Sequence, residues 1–148
     1  MKSGASTTRQ YATFRIQDLL LGIEVTRVQE VIRYQPMTVV PLAPSVVEGL
    51  INLRGQIVIA IDTRRSLGLT RVEGDALPMN IVIQSGDGLV SLLVDEIGDV
   101  IDVPAEAYAP VPDNMPQEQR ELIDCVYDLP SGLMLVLDTA RVLENACR

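Results

Sequence analysis

The chain has 148 residues, a net charge of −8 with no histidine, 47% hydrophobic residues and only 3% aromatic ones. That length suits one domain, or two small ones around a shared core, and the apolar fraction excludes disorder over most of it. The acidic balance opposes the field a nucleic acid would need, and a core without Trp must be built from Val, Ile and Leu, which favours strands.

Residues 1–10, rich in Ser, Thr and Gly, read as a flexible tail before a domain over 11–148. Tyr11–Ile16 is strand-like, a turn falls near Gln17 and Asp18, and Leu19–Val25 completes a hairpin. Thr26–Ile32 suggests one helical turn leading into a strand, and Pro36, Pro41 and Pro44 limit the next segment to edge or loop. The stretch Gly49–Leu69 then reads as strand, tight turn at Arg54-Gly55, strand, and a short helix capped by Asp62 or Thr63. Asn80–Gln84, the turn Ser85–Gly88 and Leu89–Val94 form a further hairpin.

The chain nearly repeats itself. Ile59–Leu67 matches Leu135–Leu143 as apolar-x-apolar-Asp-Thr-x-Arg-x-Leu at an offset of 76, while Val25, Val28, Glu30, Val31 and Ile32 match Val94, Ile97, Asp99, Val100 and Ile101 at an offset of 69. The difference implies seven extra residues after Pro110, where Asp113–Gln119 looks like loop. Two copies are too few for a solenoid, so a mainly β fold of two similar subdomains sharing a hydrophobic core is expected, at about 11–70 and 79–148, each a small barrel or sandwich with short helices.

Where copies agree, as at Asp62 and Asp138, helix capping explains the residue. Arg54 is not repeated: Asn52-Leu53-Arg54-Gly55 stands against Asp128-Leu129-Pro130-Ser131. It is either tied to a structural carboxylate such as Glu30, Glu48 or Asp62, or an arginine anchor at an interface.

Catalysis is poorly supported. Glu24 with Asp95, or Glu30 with Asp99, could divide acid and base roles, but these pairs are duplicated or nearly so. There is no Walker loop, no G-x-S-x-G elbow and no His partner for a thiol; Cys125 and Cys147 have neither zinc nor disulfide-framework spacing. No cofactor or metal is expected. No apolar run approaches ~20 residues and no signal peptide is evident, so a cytoplasmic protein without membrane insertion is expected.

GLINLRGQIVIAIDTRRSLGL, preceded by VTRVQEVI and followed by IVIQSGDGLVSLLVDEIGDV, resembles the CheW family of bacterial chemotaxis adaptors, over Tyr11–Leu143. The resemblance implies two intertwined five-stranded SH3-like barrels with strand exchange and no catalytic activity. It also implies a role bridging the cytoplasmic tips of chemoreceptors to the regulatory domain of the histidine kinase CheA at membrane-associated arrays, with other copies of the chain as further ring partners. Residue by residue, it assigns Val25, Val28, Glu30 and Arg54 to a receptor groove between subdomains, with Glu30 and Arg54 interacting. Asp113 and Asn114 fall in a kinase-contacting loop, Asn114 standing where relatives can carry an aromatic. The alternatives are an adaptor of a non-flagellar pathway, such as pilus motility, and more distantly an enzyme.

Overall fold

Val-, Ile- and Leu-rich alternation builds eleven strands in the computed structural model, which describes residues 8–69, 77–85 and 88–146. The first copy supplies β1 (Arg9–Ile16), β2 (Leu19–Glu24), β3 (Val28–Ile32), β4 (Val47–Leu53), β5 (Gln56–Asp62) and the helix α1 (Thr63–Ser66). The second supplies β6 (Met79–Ser85), β7 (Gly88–Val94), β8 (Glu96–Val103), β9 (Tyr108–Ala109), α2 (Gln117–Arg120), β10 (Ile123–Leu129), β11 (Gly132–Leu137) and α3 (Thr139–Ala146). Strand β1 begins at Arg9, two residues before the sequence pattern suggests. Val25 leaves the strand early, because Val25–Arg27 is a 3-10 turn. Residues 1–7, 70–76, 86–87 (the middle of the expected Ser85–Gly88 turn) and 147–148, with Cys147, lie outside the described residues.

The two sheets are interleaved. One runs β8-β1-β2-β11-β10-β9 and the other β3-β6-β7-β5-β4, so each holds the opening hairpin of one copy and the later strands of the other. The duplication extends to register. In the six-stranded sheet Leu135 pairs in parallel with Leu21, and Ile59 pairs in parallel with Val90 in the other; subtracting 76 from the first residue and adding 69 to the second converts one pair into the other. Likewise Ala12 faces Val100 where Val31 faces Ile81, with a bulge at the matching place in both ladders. Five strands were expected per unit; the two-residue β9 makes one sheet six, and among the described residues no continuous ladder closes either sheet into a barrel.

The main core lies where the sheets meet. Phe14, Leu21, Val126, Leu135 and Leu137 from one sheet pack with Ile61, Ile81, Ile83 and Leu92 from the other, sealed by Leu67, Leu122 and Val142. The opposite face of the six-stranded sheet closes over Tyr11, Tyr127, Met134 and Val136. At the equivalent face of its twin, Asn80, Ser91, Val58 and Ala60 are fully buried, and Ser91 Oγ donates to Asn80 Oδ1 at 2.6 Å. Gly22 matches Ser91, and Met134 matches Val58, so a larger residue at the first position goes with a smaller one at the second. A Cβ at Gly22 would stand 2.8 Å from Met134 Sδ. Gly22→Ala is therefore expected to cost about 1 kcal/mol in chemical denaturation, because methionine yields more readily than a branched side chain. Adding Met134→Val should recover part of that loss.

The duplicated Asp-Thr-x-Arg motif has a local cause. Asp62 accepts from the Arg65 N–H and Asp138 from the Arg141 N–H, capping α1 and α3. Each arginine also reaches back to an upstream carbonyl: Arg65 Nη1 donates to Ser45 O at 2.7 Å, and Arg141 Nη1 to Glu121 O at 3.2 Å.

Candidate functional site

The hairpin carrying Arg54 has a two-residue loop: Leu53 pairs with Gln56, and Arg54 and Gly55 take φ of 52° and 87°. Both positive angles match the twist of the flanking strands. Glycine enters that region freely, whereas Arg54 does so at a cost, offset here by a hydrogen bond from the Gly55 N–H to Asn52 Oδ1 at 2.8 Å. The other copy has Pro130 in this loop, and proline cannot adopt positive φ, so its turn differs.

Arg54 makes a bidentate pair with Glu30. Its Nη1 donates to Oε1 at 3.2 Å and its Nη2 to Oε2. The arginine side chain remains 69% exposed and the glutamate 24%, so one charge presents itself while the other is largely spent holding it. These residues come from β3 and from the β4–β5 turn, at opposite ends of one sheet's hydrogen-bonding order. The sheet must curl to bring them together. Thr38 assists, exchanging backbone hydrogen bonds with Leu50 at 2.9 and 2.8 Å.

Val28 and Glu30 are parted by the bulge in β3. Val28 pairs with Ile83 and packs against the main core, whereas Glu30 pairs with Val82, whose side chain lies on the other face of the ladder. Val25 is half-buried in the 3-10 turn leading into β3. Asp113 and Asn114 are exposed; the neighbouring Met115 packs against the main core, and Asn114 edges a shallow cleft with Leu19, Pro116 and Leu133. The structure thus assembles Glu30 with Arg54, packs Val28 against the core, leaves Val25 half-buried in the preceding turn, and holds Asp113 and Asn114 on another loop.

Three of the four carboxylates considered for acid–base chemistry are tied to arginines. Glu24 pairs with Arg9 at 3.2 Å, Glu30 with Arg54, and Asp95 with Arg64. Cys125 is half-buried, and burial together with Asp124 pushes its thiol above the ordinary range, leaving it protonated at neutral pH. Among the described residues no group of three or more ligands could hold a metal, and none of their helices is long and apolar enough to cross a membrane.

Asp95 was not singled out by sequence for this role, since neither it nor Arg64 is repeated: Thr26 and Ala140 hold the equivalent positions. Arg64 Nε donates to Asp95 Oδ1 at 2.9 Å, and the Gln17 N–H donates to Oδ2 at 2.7 Å. The clamp ties α1, the β1–β2 turn and the β7–β8 corner together. Burial pushes the Asp95 carboxyl up, but the hydrogen bonds from Arg64 and Gln17 outweigh it and hold the group below its usual range. A depressed folded-state carboxyl contributes stability above its unfolded pKa, and that stability is lost as pH falls through the folded value. At pH 7, Asp95→Asn should therefore cost on the order of 1 kcal/mol, allowing for solvent screening. The gap in melting temperature from wild type should narrow below about pH 4. A gap independent of pH would show that the carboxyl charge contributes nothing.

Mainly β, internally duplicated and organised around an exposed ion-paired hairpin, the chain has the form of an interaction module. The family model for the CheW-like domain matches residues 10–147, and the protein belongs to that family of non-catalytic chemotaxis scaffolds. Among curated relatives, it is 33% identical over 137 residues to the chemotaxis protein CheW of Rhizobium meliloti, covering 93% of this chain and 88% of that one. It is 27% identical to CheW of Klebsiella aerogenes over 143 residues, 97% and 86% of the two chains. Its backbone resembles the scaffolding protein TtCheW from Thermoanaerobacter tengcongensis with a TM-score of 0.78, at 22% identity over 87% of this chain and 88% of that one.

Proposed function

We propose that this protein is an adaptor that couples the cytoplasmic tips of transmembrane chemoreceptors to the histidine kinase CheA, working in the cytoplasm at receptor arrays. Family membership supports the general role. The observation carrying the specific reading is the Arg54–Glu30 pair: a strained hairpin tip is maintained to hold an exposed guanidinium in one orientation. Arginine in such a setting is a favoured interface anchor. In this reading Val25, Val28, Glu30 and Arg54 serve the receptor, an apolar groove with a polar rim receiving a helical hairpin, and the exposed Asp113–Asn114 loop serves the kinase. The two duplicated, interleaved sheets packed on a shared core support a reading of the subdomains as SH3-like barrels.

The experiment is co-sedimentation with receptor-containing membranes, with and without CheA. The protein is expected to pellet with receptor membranes alone and to carry CheA with it. Failure to pellet with any receptor while still binding CheA would remove the receptor half of the proposal.

A further inference from the structure

The second copy contains the same hairpin built without an arginine. Its strands close over a loop of equal length, Leu129 pairing with Gly132 as Leu53 pairs with Gln56. Asp128 stands where Asn52 does, with a carboxylate able to accept from the Ser131 N–H as Asn52 Oδ1 accepts from the Gly55 N–H at 2.8 Å. It does not do so: among the described residues the Asp128 side chain makes no hydrogen bond. Pro130 and Ser131 both keep negative φ, and the positive angle falls on Gly132, at 124°. Closing such a hairpin on this scaffold therefore needs neither the side-chain bond nor a strained loop residue.

We propose that Asn52 is a positioning residue for Arg54, its amide oxygen holding the loop in the backbone conformation from which the guanidinium meets Glu30. An arginine at φ 52° occupies a region that L side chains enter only at a cost, and the second copy shows that a turn with negative φ is open to a loop of this length. An acceptor fixed on the Gly55 N–H stabilises the left-handed arrangement against that alternative. The direction in which a side chain leaves the backbone follows from φ. A change of turn thus swings Arg54 away from Glu30, which sits on the strand at the far end of the sheet's order. Asn52 and Glu30 act on the arginine from its two ends, one through the backbone and one through the guanidinium. This inference rests on the reading of Arg54 as the receptor anchor and deepens it: Asn52 sets the fraction of molecules that present the anchor ready to bind, and apparent affinity scales with that fraction.

Asn52→Ala removes the acceptor and is expected to weaken binding to receptor membranes about fivefold, within the roughly two- to tenfold that one hydrogen bond contributes to an equilibrium. Asn52→Asp keeps an oxygen at the same place and should bind within about twofold of wild type. In an Arg54→Gly background, where there is no guanidinium to place, Asn52→Ala should have no further effect on binding. In the free protein, NMR relaxation of the Arg54 Nε–H should report a looser side chain in Asn52→Ala and wild-type order in Asn52→Asp, with circular dichroism checking that every variant is folded. Binding by Asn52→Asp as weak as that by Asn52→Ala overturns the proposal. So does an effect of Asn52→Ala that persists without Arg54, which marks a direct contact with the receptor, or an Arg54 side chain equally ordered in wild type and Asn52→Ala. If Arg54→Ala itself leaves receptor binding unchanged, the adaptor reading has failed, and the Nε–H measurement alone decides the role of Asn52.

Discussion

Replacing Arg54 with Ala is expected to weaken binding to receptor membranes about thirtyfold while shifting the melting temperature by no more than ~2 °C. The side chain is exposed and touches one partner, so the fold loses little. Arg54→Gly sharpens the result. It removes the same guanidinium but suits the positive φ at this position better than any L side chain, so its stability should equal or exceed that of wild type. Equal loss of receptor binding in both variants, with opposite small shifts in stability, would separate recognition from folding. CheA binding should hardly change in either, since the loop assigned to it lies elsewhere. If both partners are lost together with the melting temperature, Arg54 is structural; if nothing changes, the receptor assignment is wrong.

Phe14→Ala should have the largest effect on folding. Phe14 is the chain's only phenylalanine, is fully buried, and lies in the core between the sheets, opposite Leu21 on one side and Ile97 on the other. Truncating such a side chain removes apolar contact and leaves a cavity, costing about 3–5 kcal/mol against a typical total of 5–15. Denaturant midpoints should fall sharply, and part of the protein should be unfolded at 37 °C. The equivalent Ile83→Ala should cost less, about 2–5 kcal/mol, because less volume is lost. A Phe14 cost under about 1 kcal/mol would contradict the shared core.

Much of this architecture can be read from residue order because identical local physics was written twice. The Asp62 and Asp138 caps, the arginines that reach back behind them, and the matching registers at Leu135 and Ile59 all follow from a motif visible at constant offset. Pairing between copies is another matter. A repeat states which segments are alike, not which ones meet, so the interleaving enters only through the family resemblance. The choice of Glu30 for Arg54, among the three carboxylates the residues alone offered, has the same origin, since no spacing rule links two ends of a curled sheet. The bulge that turns Val28 away from Glu30 is set by one extra residue in a ladder, which apolar alternation does not reveal. Nor does an apolar run separate Ile57, 60% exposed, from its fully buried neighbour Val58. The Asp95–Arg64 clamp is invisible because neither residue is duplicated and the partners lie on separate elements.

Interleaving also constrains how the protein is made. The parallel partner of Leu20 is Met134, so β2 waits beside an unfilled position until β11 has been synthesised. The first-copy strands β3, β4 and β5 similarly lack β6 and β7 between them until those emerge. An N-terminal half leaving the ribosome is thus not a small domain that can settle early, but parts of two unfinished sheets with open apolar edges. Folding is deferred until β10 and β11 are available, and long-range pairings of this kind are slow to form while exposed strands are prone to aggregate. Nascent chains arrested before β10 should stay protease-sensitive, and resistance should arrive in one step only when β11 is free of the ribosome.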